Sequence, residues 1–202
     1  MVSAMTVGSK EHIESLISRS LRVVSFLFFP IFFAAALFSG EIVRILYGSG
    51  YNDSVGPAYL MVTTAYYFAI ATTVGAAIVG LGRMWIGLGL WVLWGIVFLA
   101  SVLIFTPLLG PTGLGLAFCL SYGVHLVNCV AVSDRFLKVK IRNLSLVVLT
   151  SVVLFATGFV STEEYGGISF MLRVALLAVG TAIVLYLGRR EFRLVLDRVL
   201  TR

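Results

Sequence analysis

Charge is what this sequence is short of. Lys, Arg, Asp and Glu together make up 12% of its 202 residues, while 60% are hydrophobic. An ordinary soluble domain carries about 25% charged residues. A chain with so little charge cannot cover a water-facing surface with polar groups, which excludes a soluble enzyme or a nucleic-acid-binding domain. Cysteine is scarce too. Cys119 and Cys129 are the only two, both inside apolar stretches. Their spacing fits neither a disulfide framework nor a zinc site, so they read as small packing residues. Carboxylate pairs, clusters of metal ligands, nucleophile–base arrangements and phosphate-cradling glycine loops are all missing, so the sequence predicts no enzyme, no cofactor and no metal. The N-terminus is a mixed-charge segment and not a cleavable signal peptide.

What the chain has in abundance is long apolar runs, with a mean hydropathy of +1.06. A transmembrane helix needs about 20 mostly apolar residues. Six segments qualify: roughly 23–40, 57–80, 84–106, 112–132, 144–161 and 168–187. None alternates with period 2 as a barrel strand would. The expected fold is therefore an all-α integral membrane protein, a bundle of six transmembrane helices. Residues 1–22 form an amphipathic arm, 23–187 the membrane domain and 188–202 a basic amphipathic tail. In the arm, Ile13, Leu16, Ile17, Leu21 and Val24 recur at helical spacing, and in the tail Phe192, Val195, Leu196, Val199 and Leu200 do the same. Such stripes either rest on anionic membrane lipids or dock a partner.

Fifteen basic against nine acidic residues give a net charge of +6. Laid over the six segments, thirteen of the fifteen basic residues fall in alternate loops and at the two ends, and one, Arg44, falls on the other side. By the positive-inside bias both termini are cytoplasmic, and the positive charge marks orientation, not a nucleic-acid partner.

Polar groups inside apolar spans are costly and mark the candidate site. In the fourth segment Ser121, His125 and Asn128 share a helical face, with Tyr122 alongside; Tyr66 and Tyr67 stand among threonines in the second. These residues either line a cavity for polar cargo or form an interhelical hydrogen-bonding set. Gly115, Cys119 and Gly123 form a small-residue series where helices approach closely. Arg173, inside the last segment, either snorkels outward, meets Glu163 or Glu164, or attracts an anionic cargo group. Pro30 interrupts the phenylalanine-rich first segment and is a hinge candidate.

The order of motifs resembles a known family. A proline-bearing segment leads into Leu46-Tyr47-Gly48-Ser49-Gly50-Tyr51, and Pro57-Ala58-Tyr59-Leu60 opens the next. That one ends at Gly80-Leu81-Gly82-Arg83, and a later turn reads Pro107-Leu108-Leu109-Gly110-Pro111-Thr112-Gly113-Leu114-Gly115-Leu116-Ala117. Over residues 15–133 this is similar to the C-terminal part of O-antigen and related polysaccharide flippases, members of the multidrug/oligosaccharidyl-lipid/polysaccharide exporter superfamily. The resemblance implies one lobe of a two-lobe flippase for lipid-linked oligosaccharides in the cytoplasmic membrane, incomplete without an N-terminal lobe or second subunit. Implied partners are the lipid-linked glycan cargo, membrane lipids and that missing lobe, with Tyr66, Tyr67, Tyr122, His125, Asn128 and Arg173 as cavity residues. The alternative is a non-catalytic adaptor that holds glycosyltransferases through its basic tail.

Overall fold

A computed structural model describes residues 10–135, 150–154 and 173–182, and among them there are helices and turns but no strand. The first helix, α1 (Lys10–Leu37), runs through Pro30 without a break. Its buried ridge repeats every fourth residue: Ile17, Leu21, Ser25, Phe29, Phe33 and Leu37. Side chains four apart stack on one helix face, so this ridge is a continuous packing edge. Ile17 and Leu21 already belong to the core, and no boundary separates the expected arm from the first apolar segment. The backbone irregularity falls beyond Pro30, at Phe38 (φ −107°, ψ 20°), after which α2 (Ser39–Tyr47) continues. A 3-10 turn (Ser49–Ser54) then leads into α3 (Val55–Gly80). Between the two α-helices the chain breaks at Gly48 and is irregular again at Tyr51.

The hydrogen-bonded helix α4 spans Met84–Arg135, but Gly110 (φ 57°, ψ −135°), between Pro107 and Pro111, folds it back on itself. Ring contacts prove the hairpin. Trp91 meets His125 at 5.0 Å, Trp94 meets Tyr122 at 5.0 Å and Phe98 meets Phe118 at 4.4 Å. Each pair is symmetric about position 108, as two antiparallel arms require. The positive φ at Gly110 is open to glycine without steric cost, and proline on either side withholds the N–H groups a continuous helix would use. The arms correspond to the third and fourth expected segments.

Close approaches give the remaining directions. A Cβ on Gly56 would lie 3.6 Å from Thr112, one on Gly115 3.1 Å from Leu60, and one on Gly123 3.7 Å from Tyr67. The constant stagger means α3 and the second arm of α4 run parallel. Residues 150–154 run antiparallel to α3, because Tyr59 reaches Leu154 while Tyr66 reaches Thr150. The helix Arg173–Ala182 runs antiparallel to α1, with Arg173 at Glu41 and Gly180 against Phe33. Three of the helices, with windows Ile17–Leu37, Ser49–Gly80 and Met84–Asp134, are long and apolar enough to cross a membrane. Only those short stretches of the fifth and sixth expected segments are described. The tail at 188–202 and Glu163 and Glu164 lie outside the described residues.

Candidate functional site

The tyrosines of α3 are adjacent in sequence and separate in space. Successive helical residues point about 100° apart. Tyr66 is fully buried, edge-on to Phe29 and Phe32 at 6.2 and 6.0 Å, and its hydroxyl donates to Thr150 Oγ1 at 2.6 Å. Tyr59 does the equivalent one level away, donating to the Leu154 carbonyl at 2.8 Å. Tyr67 turns instead to the second arm of α4 and lines an open groove of about 460 Å³ with Cys119, Gly123, Val124, Val127 and Asn128. Its hydroxyl lies 3.5 Å from the Ser151 carbonyl.

The threonines beside them do not need an aqueous cavity. Thr63, Thr64, Thr72 and Thr73 each donate to a carbonyl one turn back in α3: Tyr59, Leu60, Phe68 and Ala69 at 3.2, 2.8, 2.9 and 2.9 Å. Ser121 bonds the Phe118 carbonyl in the same way. A hydroxyl satisfied by its own helix can face hydrocarbon at little cost.

The expected Ser121–His125–Asn128 face divides between two surroundings. Asn128 stands in the groove with Tyr67. His125 is buried in the hairpin seam, its ring against Trp91 and its Nε2 3.6 Å from Cys129 Sγ. Tyr122 is half-buried in the same seam, edge-on to Phe68 at 5.5 Å and tilted on Trp94. Tyr67 and Asn128 are thus brought together, and Tyr122 with His125, whereas Tyr66 faces the core. Cys119 and Gly123, read from sequence as packing residues, also hollow out the groove. Small side chains at helix contacts were the signal available for it.

Arg173 lies apart from all of these. Its Nη1 sits 2.8 Å from Glu41 Oε1 and 3.5 Å from the Leu37 carbonyl, so it bridges the junction of α1 and α2. Its side chain is 12% exposed and that of Glu41 39%. A paired guanidinium is largely neutralised as an anion attractor, and Glu41 was not among the partners expected for it. Among the described residues the groove is lined almost wholly by apolar side chains and by no charged one, so it suits hydrocarbon better than sugar or pyrophosphate. Among the described residues, no group of His, Cys, Asp and Glu could hold a metal ion.

Comparison with known proteins adds one finding. Residues 2–56 match a family described as polysaccharide biosynthesis protein. The matched stretch takes in α1, α2 and the 3-10 turn and ends at the start of α3. No curated protein and no solved structure matches the chain. The finding points to a polysaccharide-related membrane protein, a coarser reading than the C-terminal part of an O-antigen flippase.

Proposed function

We propose that this chain is one lobe of a flippase that moves lipid-linked oligosaccharide or polysaccharide precursors across the cytoplasmic membrane. The observation that carries the reading is the match of residues 2–56 to a polysaccharide biosynthesis family, on a chain built of long apolar helices. Six spans with both termini cytoplasmic are supported by the alternating placement of basic residues and by the antiparallel and parallel contacts between helices.

No bond is made or broken in this proposal. The groove at Tyr67 and Asn128 takes the hydrocarbon part of the cargo, and the hairpin seam at Tyr122 and His125 supports its wall. The Pro30–Phe38 stretch flexes as the lobe rocks, since a helix weakened at a proline and again at an irregular residue bends there first. A second lobe, in the same polypeptide or another, supplies the opposite wall and the cationic lining for pyrophosphate.

The test is translocation of a fluorescent lipid-linked oligosaccharide in proteoliposomes, with and without a second lobe. Transport is expected only with both. Unchanged transport when the second lobe is withheld refutes the half-transporter account. Absence of transport in both cases, together with glycosyltransferase capture that is lost on deleting 188–202, would establish the adaptor instead.

A further inference from the structure

The connection between α2 and α3 is exposed over residues 44–53. A Cβ on Gly40 would lie 3.9 Å from Val55, and one on Gly56 3.6 Å from Thr112, so the start of α3 and the tip of the α4 hairpin are level with Gly40. Val43 of α2 is still buried and Glu41 is held by Arg173, so the exposed part of the connection begins at Arg44.

Two aromatic rings dominate this stretch. Tyr47 and Tyr51 are 65% and 56% exposed, with ring centroids 5.9 Å apart and planes inclined at 48°. The pair is held in place by local structure. Gly48 has φ 88° and ψ 172°, a conformation that L side chains rarely adopt, and its N–H donates to the Arg44 carbonyl at 2.9 Å. The Arg44 guanidinium donates through Nε to Asn52 Oδ1 at 3.3 Å, tying the end of α2 to the 3-10 turn and leaving the Asn52 NH₂ to donate elsewhere. Asp53 follows as an exposed acceptor.

Inclined exposed rings beside amide and carboxylate groups match the chemistry of a sugar. The C–H bonds on one face of a pyranose meet the negative face of an aromatic ring, and its hydroxyls take planar donors and acceptors at the edge. We propose that Tyr47, Tyr51 and Asn52 form a carbohydrate-docking platform at this end of the bundle. Resting on the flippase reading above, it specifies where the glycan portion of the cargo engages the lobe. The platform discriminates sugar from the lipid carrier, whereas the apolar groove does the reverse. Ile45 and Leu46, 82% and 68% exposed on the same helix, make the bilayer the rival occupant of this surface.

The test uses the full chain in nanodiscs and a panel of neutral and acidic soluble oligosaccharides of two to six sugars, read by saturation-transfer NMR. At least one is expected to bind. Tyr47→Ala and Tyr51→Ala should each weaken it about three- to tenfold, the fold-change of one aromatic contact, while Tyr51→Phe retains binding. A nitroxide on Tyr51→Cys should report the aqueous phase by its accessibility to a water-soluble nickel chelate. Failure of every panel member to bind, equal binding by the alanine variants, or a nitroxide at hydrocarbon depth overturns the platform. Sugar binding without translocation in the two-lobe assay defeats the flippase reading and leaves the platform; translocation without sugar binding does the opposite.

Discussion

Gly115 is the position at which packing can be tested most sharply. A Cβ there would stand 3.1 Å from the Leu60 Cβ, 3.3 Å from its Cδ1 and 3.4 Å from the Pro57 Cα. The Leu60 Cδ1 can swing aside, but the Leu60 Cβ and Pro57 Cα are fixed by the α3 backbone, so the helix itself must move. Gly115→Leu adds four heavy atoms into that contact. Overpacking costs about 1–3 kcal/mol for a few extra methylenes, and the upper end applies where backbone must shift. Gly89, on the first arm of the same hairpin, is exposed and has nothing within 4 Å of an added Cβ. Gly89→Leu therefore keeps only the helix-propensity gain of up to ~1 kcal/mol. The propensity gain is common to both variants and cancels, so at roughly 2–4 °C per kcal/mol for a chain of this size an overpacking cost of about 3 kcal/mol should separate them by about 6–12 °C in Tm. The buried thiols of Cys119 and Cys129 supply the assay, because a thiol-reactive dye lights up only as the chain opens. Cys119 lies one turn from Gly115 and reports that contact directly. Equal melting of Gly115→Leu and Gly89→Leu would show that α3 does not pack on this arm and would refute the parallel arrangement.

Three further outcomes are expected. Arg173→Glu and Glu41→Arg should each lower stability by about 1–3 kcal/mol after allowing for Glu41's partial exposure, seen as a fall in Tm, and the double swap should recover most of the loss; absence of recovery counts against the pair. Cysteines replacing Phe98 and Phe118, whose ring centroids are 4.4 Å apart, should be joined by a short bifunctional thiol crosslinker far more efficiently than Phe118→Cys with Arg83→Cys, read by gel mobility after cleavage between the arms. His125→Ala should lower Tm along with transport, because its ring packs on Trp91; transport lost at unchanged Tm would instead indicate direct cargo contact.

Much of the helical layout was readable from residue types. The turn at Pro107–Pro111 was legible because proline and glycine have fixed backbone consequences, and Gly110 is the residue that turns the chain there. The small residues Gly115, Cys119 and Gly123 announced a close helix contact for the same kind of reason. The candidate site was less legible. Ser121, His125 and Asn128 share a face by spacing, yet the groove takes Asn128 and the aromatic seam takes His125, since a face 60° wide can meet two neighbours. The threonines of α3 suggested a wet cavity, but their hydroxyls bond to their own helix.

The sequence by itself determined an apolar helical chain, the places where it turns, and the uneven distribution of its positive charge, because each of these follows from local composition. Tertiary structure alone decided that Tyr66 faces the core and Tyr67 the groove. Helix α3 is apolar on every side, so no periodic stripe distinguishes two residues 100° apart. It also decided that Arg173 is met by Glu41, a partner 132 positions away, since ion pairing depends on which helix ends come level and not on distance along the chain.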